Sequence, residues 1–74
     1  MHDPPPMRWP FRKMATSLKE EARLHYNSKD YQKAEPYLDG MLKINPNDAW
    51  AMDVLSRLYM NTGRHSEAVL LLNR

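Results

Sequence analysis

The sequence contains no cysteine and only two glycines among its 74 residues. Without cysteine, neither a disulfide framework nor a thiolate metal site can stabilise the chain. Glycine occurs only at Gly40 and Gly63, so the chain has no glycine-rich loop of the kind that cradles phosphate. No apolar run approaches the ~20 residues that a membrane-spanning helix needs. These absences exclude several classes of nucleotide-binding, metal-stapled and membrane-spanning protein.

The chain is short, and its charges are nearly balanced. Eleven basic and nine acidic residues give a net charge of +2, and the two signs are interspersed as on an ordinary solvated surface. That excess is too small to indicate nucleic-acid binding from composition alone. The length allows one small domain, which buries only about 60% of the surface of its unfolded chain. We therefore expect a single domain of marginal stability.

The prolines are concentrated at the N-terminus, where four of the six fall in the first ten residues, MHDPPPMRWP. Proline fixes φ and cannot donate a backbone hydrogen bond, so this stretch cannot form a regular helix. We expect residues 1–14 to form an extended or disordered arm. Its basic and aromatic part, MRWPFRK at 7–13, has two interpretations: an ordinary tail, or an arm that docks on a membrane surface or a partner through Trp9 and Phe11.

Helical signals begin near residue 15. Ser17 and Glu20 have the spacing of a capping box, in which a hydroxyl and a carboxylate satisfy N–H groups at a helix start. Pro36 and Gly40 fall within the second predicted helix, which we therefore expect to be locally irregular. No segment shows the alternation that marks a half-buried strand. The breaks between apolar stripes predict four antiparallel helices, near residues 16–28, 31–44, 49–62 and 65–74.

The chain repeats itself with a period of 34 residues. When residues 15–40 are superposed on residues 49–74, six of 26 positions are identical. Chance would give roughly one or two identities. The identical pairs are Ala15/Ala49, Arg23/Arg57, Leu24/Leu58, Asn27/Asn61, Ala34/Ala68 and Leu38/Leu72.

A 34-residue helical period is characteristic of the tetratricopeptide repeat, and both units carry residues of its signature. Those of the second unit are Met52, Leu55, Ser56, Tyr59, Ala68 and Leu72. The first unit matches at Leu18, Ala22, His25, Ala34, Leu38 and Pro46, with Glu21 in place of a leucine. Residues 15–74 thus resemble two repeats, 15–48 and an incomplete 49–74. The resemblance implies an all-α fold of two stacked helix–turn–helix units, in which small residues allow close helix approach.

The sequence offers no constellation for catalysis. His2, His25 and His65 lack the spacing of a metal site, and no serine has the context of a catalytic nucleophile. The resemblance adds that a short repeat array lacks a deep pocket in which to exclude water from a reaction. We predict no catalytic residue, no metal, no cofactor and no enzymatic activity.

The resemblance implies a protein-interaction module or adaptor in which the first helix of each unit lines a concave groove for a peptide or partner helix. Helical spacing agrees, because these positions lie opposite the core stripe. Exposed apolar and basic side chains there suit a partner with acidic and hydrophobic groups. An alternative for Trp50 is packing on the neighbouring unit. The predicted groove residues are Lys19, Arg23, Tyr26, Asn27, Trp50, Asp53, Val54, Arg57, Met60 and Asn61.

A second interface is predicted where four apolar residues follow one another. Val69, Leu70, Leu71 and Leu72 cover more than half of a helix circumference at roughly 100° per residue. The first unit can cover only one side of them. We expect the other side to meet a second copy of the chain, a partner, or the remainder of a longer protein. The intramolecular alternative is an N-terminal arm folded back over Leu71.

Other roles are weaker alternatives. Some family members clamp the C-terminal carboxylate of a chaperone with one lysine and two asparagines. Lys19 stands at the lysine position here, but Arg23 and Val54 stand where the asparagines would be, so that role is not expected. A helical-repeat RNA-binding protein remains a second function class, although two repeats read too few bases for useful specificity. An adaptor tethered to a membrane by the arm is a third.

Overall fold

The computed structural model describes the backbone of residues 11–73 and the side chains of residues 17–73. This part of the chain contains helices and turns and no strand. Each helix packs against the next one along the chain, which gives two stacked helix–turn–helix units and confirms the predicted all-α class. The helices are α1 (Phe11–Asn27), α2 (Tyr31–Ile44), α3 (Ala49–Asn61) and α4 (His65–Leu72).

The start of α1 differs from the prediction. The helix begins at Phe11, so residues 11–14 are helical and do not belong to an extended arm. Ser17 therefore lies inside the helix, and the capping box predicted from Ser17 and Glu20 is wrong. The reason is local: residues 11–16, FRKMAT, contain neither glycine nor proline, and arginine, lysine, methionine and alanine all favour helix. The remaining prediction for the arm, including Trp9, concerns residues outside the described part.

The caps of the next two helices are as predicted. Asp30 precedes α2 and accepts a hydrogen bond from the backbone N–H of Lys33 at 3.4 Å. Asp48 precedes α3 and accepts from the N–H of Ala51 at 3.1 Å. Each carboxylate satisfies one of the N–H groups that a helix start leaves without an intrahelical partner. These caps explain why α2 and α3 begin where the sequence indicated.

Helix α2 contains both residues that conflict with helix propensity. Pro36 lies within its span, and α2 is nevertheless one element from Tyr31 to Ile44. Proline there removes one N–H from the backbone ladder early in the helix. Gly40 has a packing reason: a Cβ at this position would stand 3.3 Å from Cδ1 of Leu18 on α1. The glycine thus leaves room for the tip of Leu18 between α1 and α2, at a cost in helix propensity of about 1 kcal/mol relative to alanine.

The two units end their first helices with the same turn. After α1, the N–H of Asp30 bonds to the carbonyl of His25 at 2.8 Å, and Lys29 has a φ of 61°. After α3, the N–H of Arg64 bonds to the carbonyl of Tyr59 at 2.7 Å, and Gly63 has a φ of 76°. Both are Schellman turns, whose left-handed position favours glycine. The first unit places a lysine there, 34 residues before the glycine.

Replacing Lys29 with glycine is therefore expected to stabilise the protein by about 0.5–1 kcal/mol. The substitution removes the steric cost of holding a residue with a Cβ in the left-handed backbone conformation. The greater freedom of glycine in the unfolded chain offsets part of this gain in stability. Thermal unfolding followed by circular dichroism measures the change. The matched control is Ser28→Gly, one residue earlier on the same exposed turn, which should be neutral or destabilising. Equal stabilisation by both variants would contradict the assignment of strain to Lys29.

The core forms where the four helices meet. Leu38, Leu55 and Leu58 are its largest fully buried side chains. His25 is half-buried and stacks on Tyr37 with ring centroids 5.6 Å apart, which places it as a packing residue. The small residues predicted at close helix contacts are buried as expected: Ala22, Ala34, Ser56 and Ala68. Ser56 satisfies its hydroxyl by donating to the carbonyl of Asp53 at 2.8 Å.

Candidate functional site

Two side-chain contacts join the first helices of the two units. The ammonium of Lys19 on α1 lies 4.9 Å from the ring centroid of Trp50 on α3. Further along both helices, the side-chain amide of Asn61 on α3 donates to the hydroxyl of Tyr26 on α1 at 3.3 Å. A cation over an indole face and an amide–phenol hydrogen bond are both directional contacts. Helices α1 and α3 therefore lie side by side along one surface, which we call the α1–α3 groove after the groove that the sequence predicts there.

The exposed charges of the α1–α3 groove are mainly basic. Arg23 and Arg57 occupy the same position in the two units, and both are exposed. Arg57 makes an ion pair with Asp53, its Nε lying 3.4 Å from Oδ2. Such an exposed pair between residues four apart contributes only about 0.3–0.5 kcal/mol, so it constrains the arginine weakly. The guanidinium groups thus remain accessible to an acidic partner.

The aromatic side chains of the groove are half-buried. Trp50 packs against the core cluster, and Lys19 of the first unit lies over its ring. This position agrees with the alternative in which Trp50 packs on the neighbouring unit. Tyr26 also packs against the core and meets Tyr31 edge to face, with centroids 5.4 Å apart. Half-burial holds these rings in place while part of each remains at the surface. Met60 is more accessible, with 51% of its surface exposed.

The remaining groove predictions divide between exposed and buried positions. Asn27, Asp53 and Asn61 are exposed. Val54 is only 8% exposed and belongs to the core, so it is inaccessible to a partner and its assignment to the groove was wrong. Its helical angle lies at the boundary between the groove and the face that α3 turns toward the first unit. Val54 is buried when α3 packs onto the first unit, because burying an apolar side chain is favourable.

The predicted second interface also divides by burial. Leu71 is 6% exposed and packs into the core. Val69, Leu70 and Leu72 remain 56%, 70% and 60% exposed, and we call these three residues the α4 face. This division follows from consecutive apolar residues on a helix, only one side of which can contact the preceding helices. The structure thus places one of the four residues inside the fold and three on its surface.

Sequence reasoning missed one interaction that joins the two units. Arg64 makes paired hydrogen bonds to Glu35 on α2, at 2.5 and 3.0 Å, and to Glu67 on α4, at 2.8 and 2.6 Å. Its guanidinium also lies 4.6 Å from the ring centroid of Tyr59 on α3. The planar fork of arginine suits such paired carboxylate contacts. The spacing of three residues between Arg64 and Glu67 could have predicted their ion pair, but no spacing within one helix indicates the pair with Glu35.

The pKa values of three groups around Arg64 depart from their ordinary values, for different reasons. Hydrogen bonds from Arg64 hold the pKa of Glu67 below its ordinary range. Partial burial, reinforced by the charge of Glu35, raises the pKa of Asp39. Burial, with Asp39 nearby, also raises the pKa of Tyr59. Because the guanidinium of Arg64 bonds both to Glu35 on α2 and to Glu67 on α4, we interpret this cluster as a connection between the units.

The part of the chain that the structure describes offers no metal site and no membrane span. Within residues 11–73 no three histidine, aspartate or glutamate residues are grouped so that they could hold a metal ion. None of the helices described is long and apolar enough to cross a bilayer.

The comparisons with known proteins identify the family. The model of the tetratricopeptide repeat matches residues 25–74, which is more than half of the chain. No curated protein and no solved structure is similar enough to count as a match. The matched segment runs from the end of α1 through α4 and includes the contact of Arg64 with Glu35 that joins the two units. The chain therefore belongs to the tetratricopeptide repeat family.

Proposed function

We propose that this chain is a non-enzymatic protein-interaction module whose α1–α3 groove binds a peptide or partner helix carrying acidic and apolar groups. Domains of its family generally mediate protein–protein interaction and typically act as scaffolds without catalysis. The finer assignment to the groove rests on the chemistry of its surface. An adaptor of this kind works within a larger assembly or a longer protein.

The single observation that carries the proposal is the repetition of an exposed arginine on the first helix of each unit. Arg23 and Arg57 are equivalent in the two units and exposed, and the half-buried rings of Tyr26 and Trp50 lie on the same two helices. Arginine and large aromatic residues dominate the energetics of protein interfaces, because they combine wide contact area with directional polar contacts. Two basic positions one repeat apart suit a ligand with acidic groups at a matching separation.

A selection from random displayed peptides tests the proposal. Full-length protein serves as bait, and binders are counter-selected against the Arg23→Glu, Arg57→Glu double variant. We expect the retained peptides to be enriched in aspartate and glutamate next to aromatic or aliphatic residues, since these groups complement the groove. Enrichment of basic peptides, or equal retention by the variant, would contradict the proposed groove.

A further inference from the structure

The second helices of the two units stand on either side of a second groove. Helix α3 packs against both α2 and α4 and forms the base between them. The cavity there has a volume of about 480 Å³. We call it the α2–α4 groove, and its base consists of four buried side chains: Leu42 of α2, Leu55 and Tyr59 of α3, and Leu71 of α4. It differs from the α1–α3 groove because other helices form its sides.

Three carboxylates lie in or beside the α2–α4 groove, and two of them are already paired. Arg64 bonds to Glu35 on α2 and to Glu67 on α4, so it bridges the two sides. Asp39 follows Glu35 by one turn of α2 and lines the groove in a half-buried position. Within residues 17–73 no side chain donates a hydrogen bond to the Asp39 carboxylate or forms an ion pair with it. Partial dehydration without a partner is unfavourable for a charged group.

The accessible part of the α2–α4 groove combines apolar surface with a net negative charge. Leu70 lines the groove from α4 with 70% of its surface exposed, above the buried leucines of the base. Three carboxylates face two basic groups, Arg64 and Lys43, around the groove. Apolar ligand groups would gain from covering Leu70, and a cation would gain from meeting Asp39.

We propose that the α2–α4 groove binds a peptide segment of a partner protein in which one arginine or lysine is flanked by leucine-sized residues. The basic group pairs with the carboxylate of Asp39. The flanking apolar side chains cover Leu70 and the outer surfaces of the leucines at the base. The α1–α3 groove is proposed above for acidic ligands, so the module would hold two partners of opposite charge on different surfaces.

The charge of the groove selects this occupant over the alternatives. An acidic segment would be repelled by Asp39 and by the excess of carboxylates around it. A purely apolar segment would dehydrate Asp39 further without offering it a partner. A small amine could pair with Asp39, but sites that hold small molecules usually bury most of the ligand surface. This groove is open to solvent, so apolar neighbours carried on the same backbone are needed for binding.

Methyl NMR of the full chain, titrated with a designed peptide, tests the inference. The probe is the acetylated and amidated pentapeptide Gly-Leu-Arg-Leu-Gly. The matched control replaces its arginine with citrulline, which has nearly the same shape and no charge. The arginine peptide should cause saturable shifts of the Leu42, Leu55 and Leu70 methyl signals, and the citrulline peptide should bind about fivefold more weakly. No saturable shift of these signals, or equal affinity of the two peptides, would overturn the proposal.

Two matched substitutions locate the charge that is read. Asp39→Asn keeps the side-chain shape, and it should weaken binding of the arginine peptide about fivefold and abolish its advantage over the citrulline peptide. Asp53→Asn makes the same chemical change at an exposed carboxylate of α3 that pairs with Arg57 and lies outside the lining of the α2–α4 groove. It should leave both affinities unchanged. Equal effects of Asp39→Asn and Asp53→Asn would overturn the proposal.

Two exposed leucines test the apolar part of the site in the same way. Leu70 and Leu24 are 70% and 59% exposed, so Leu70→Gln and Leu24→Gln should both leave the helical content unchanged. Leu70→Gln should weaken binding of the arginine peptide about threefold, and Leu24→Gln should not change it. Equal affinities of the two variants would contradict the placement of the ligand over Leu70.

Other occupants of the α2–α4 groove would give different results. Butylammonium that shifts the same methyl signals with the affinity of the peptide would show a small-amine site. A dimer in sedimentation that Asp39→Asn dissociates would show a second copy of the chain in the groove. Removal of residues 1–10 that shifts these signals without any peptide would show that the chain occupies its own groove. Each of these three results would overturn the proposal. An unchanged affinity of Asp39→Asn for an acidic peptide selected on the α1–α3 groove would support two independent sites.

Discussion

Replacing Arg23 and Arg57 with glutamate is expected to weaken binding of a selected acidic peptide by about 30-fold. Each substitution converts an exposed attraction of about 0.5 kcal/mol into a comparable repulsion, so two substitutions change the binding free energy by about 2 kcal/mol. Isothermal titration calorimetry at low and high salt measures the loss. The difference between wild type and variant should shrink as salt rises, because these charges are exposed and therefore screened.

The matched control is the double variant Lys33→Glu, Lys43→Glu. It changes the net charge by the same amount, but both lysines are exposed on α2, away from the α1–α3 groove. Lys33 makes an exposed ion pair with Asp30 at 3.8 Å, much as Arg57 does with Asp53, so the local cost of reversal is similar. The control should lose less than about threefold in affinity, since distant charges are largely screened. Equal losses in both double variants would show a general charge effect and contradict binding at the groove.

Replacing Leu38 with alanine is expected to lower the melting temperature by about 12 °C or more. Leu38 on α2 is fully buried, and removing such a leucine typically costs about 3 kcal/mol. A shift of 4–8 °C per kcal/mol is usual for domains of about this size. The whole stability of so small a domain is only roughly 5 kcal/mol, so a large part of the protein would unfold near body temperature.

The same substitution one repeat later provides the control. Leu72 occupies the equivalent position on α4 but is 60% exposed. Leu72→Ala should therefore change stability by less than about 0.5 kcal/mol, as is usual for surface substitutions. Thermal unfolding of both variants by circular dichroism compares the covered and uncovered copies of one position. Similar shifts for the two would contradict the packing of α3 over α2.

Much of the fold could be predicted from the sequence because its signals are local. Asp30 and Asp48 cap helices at the positions where their residue types predict a start. The 34-residue period then relates the second unit to the first. The start of α1 could not be predicted in the same way, because Ser17 and Glu20 form a capping pattern that also occurs inside helices. Only the continuation of helix to Phe11 distinguishes the two cases.

The candidate site was less predictable because it depends on contacts between distant residues. A helical wheel identifies Arg23 and Arg57 as equivalent, but it cannot show that Val54 lies on the side that packs against the first unit. The pairing of Arg64 with Glu35 joins residues 29 positions apart, beyond any pattern within one helix. Both the burial of Val54 and the pairing of Arg64 with Glu35 depend on how the helices pack together. The pattern of residues within a single helix does not specify that packing.

Backbone-amide NMR of the full chain, titrated with a selected acidic peptide, is the most direct test of the account. Binding in the α1–α3 groove predicts the largest chemical-shift changes on α1 from Lys19 to Asn27 and on α3 from Trp50 to Asn61. Residues of α2 and the α4 face should change little, because they lie on other surfaces of the stack. Shifts concentrated on α2, on the α4 face or in residues 1–10, with the groove unchanged, would contradict the central claim that this repeat module binds partners through its first helices.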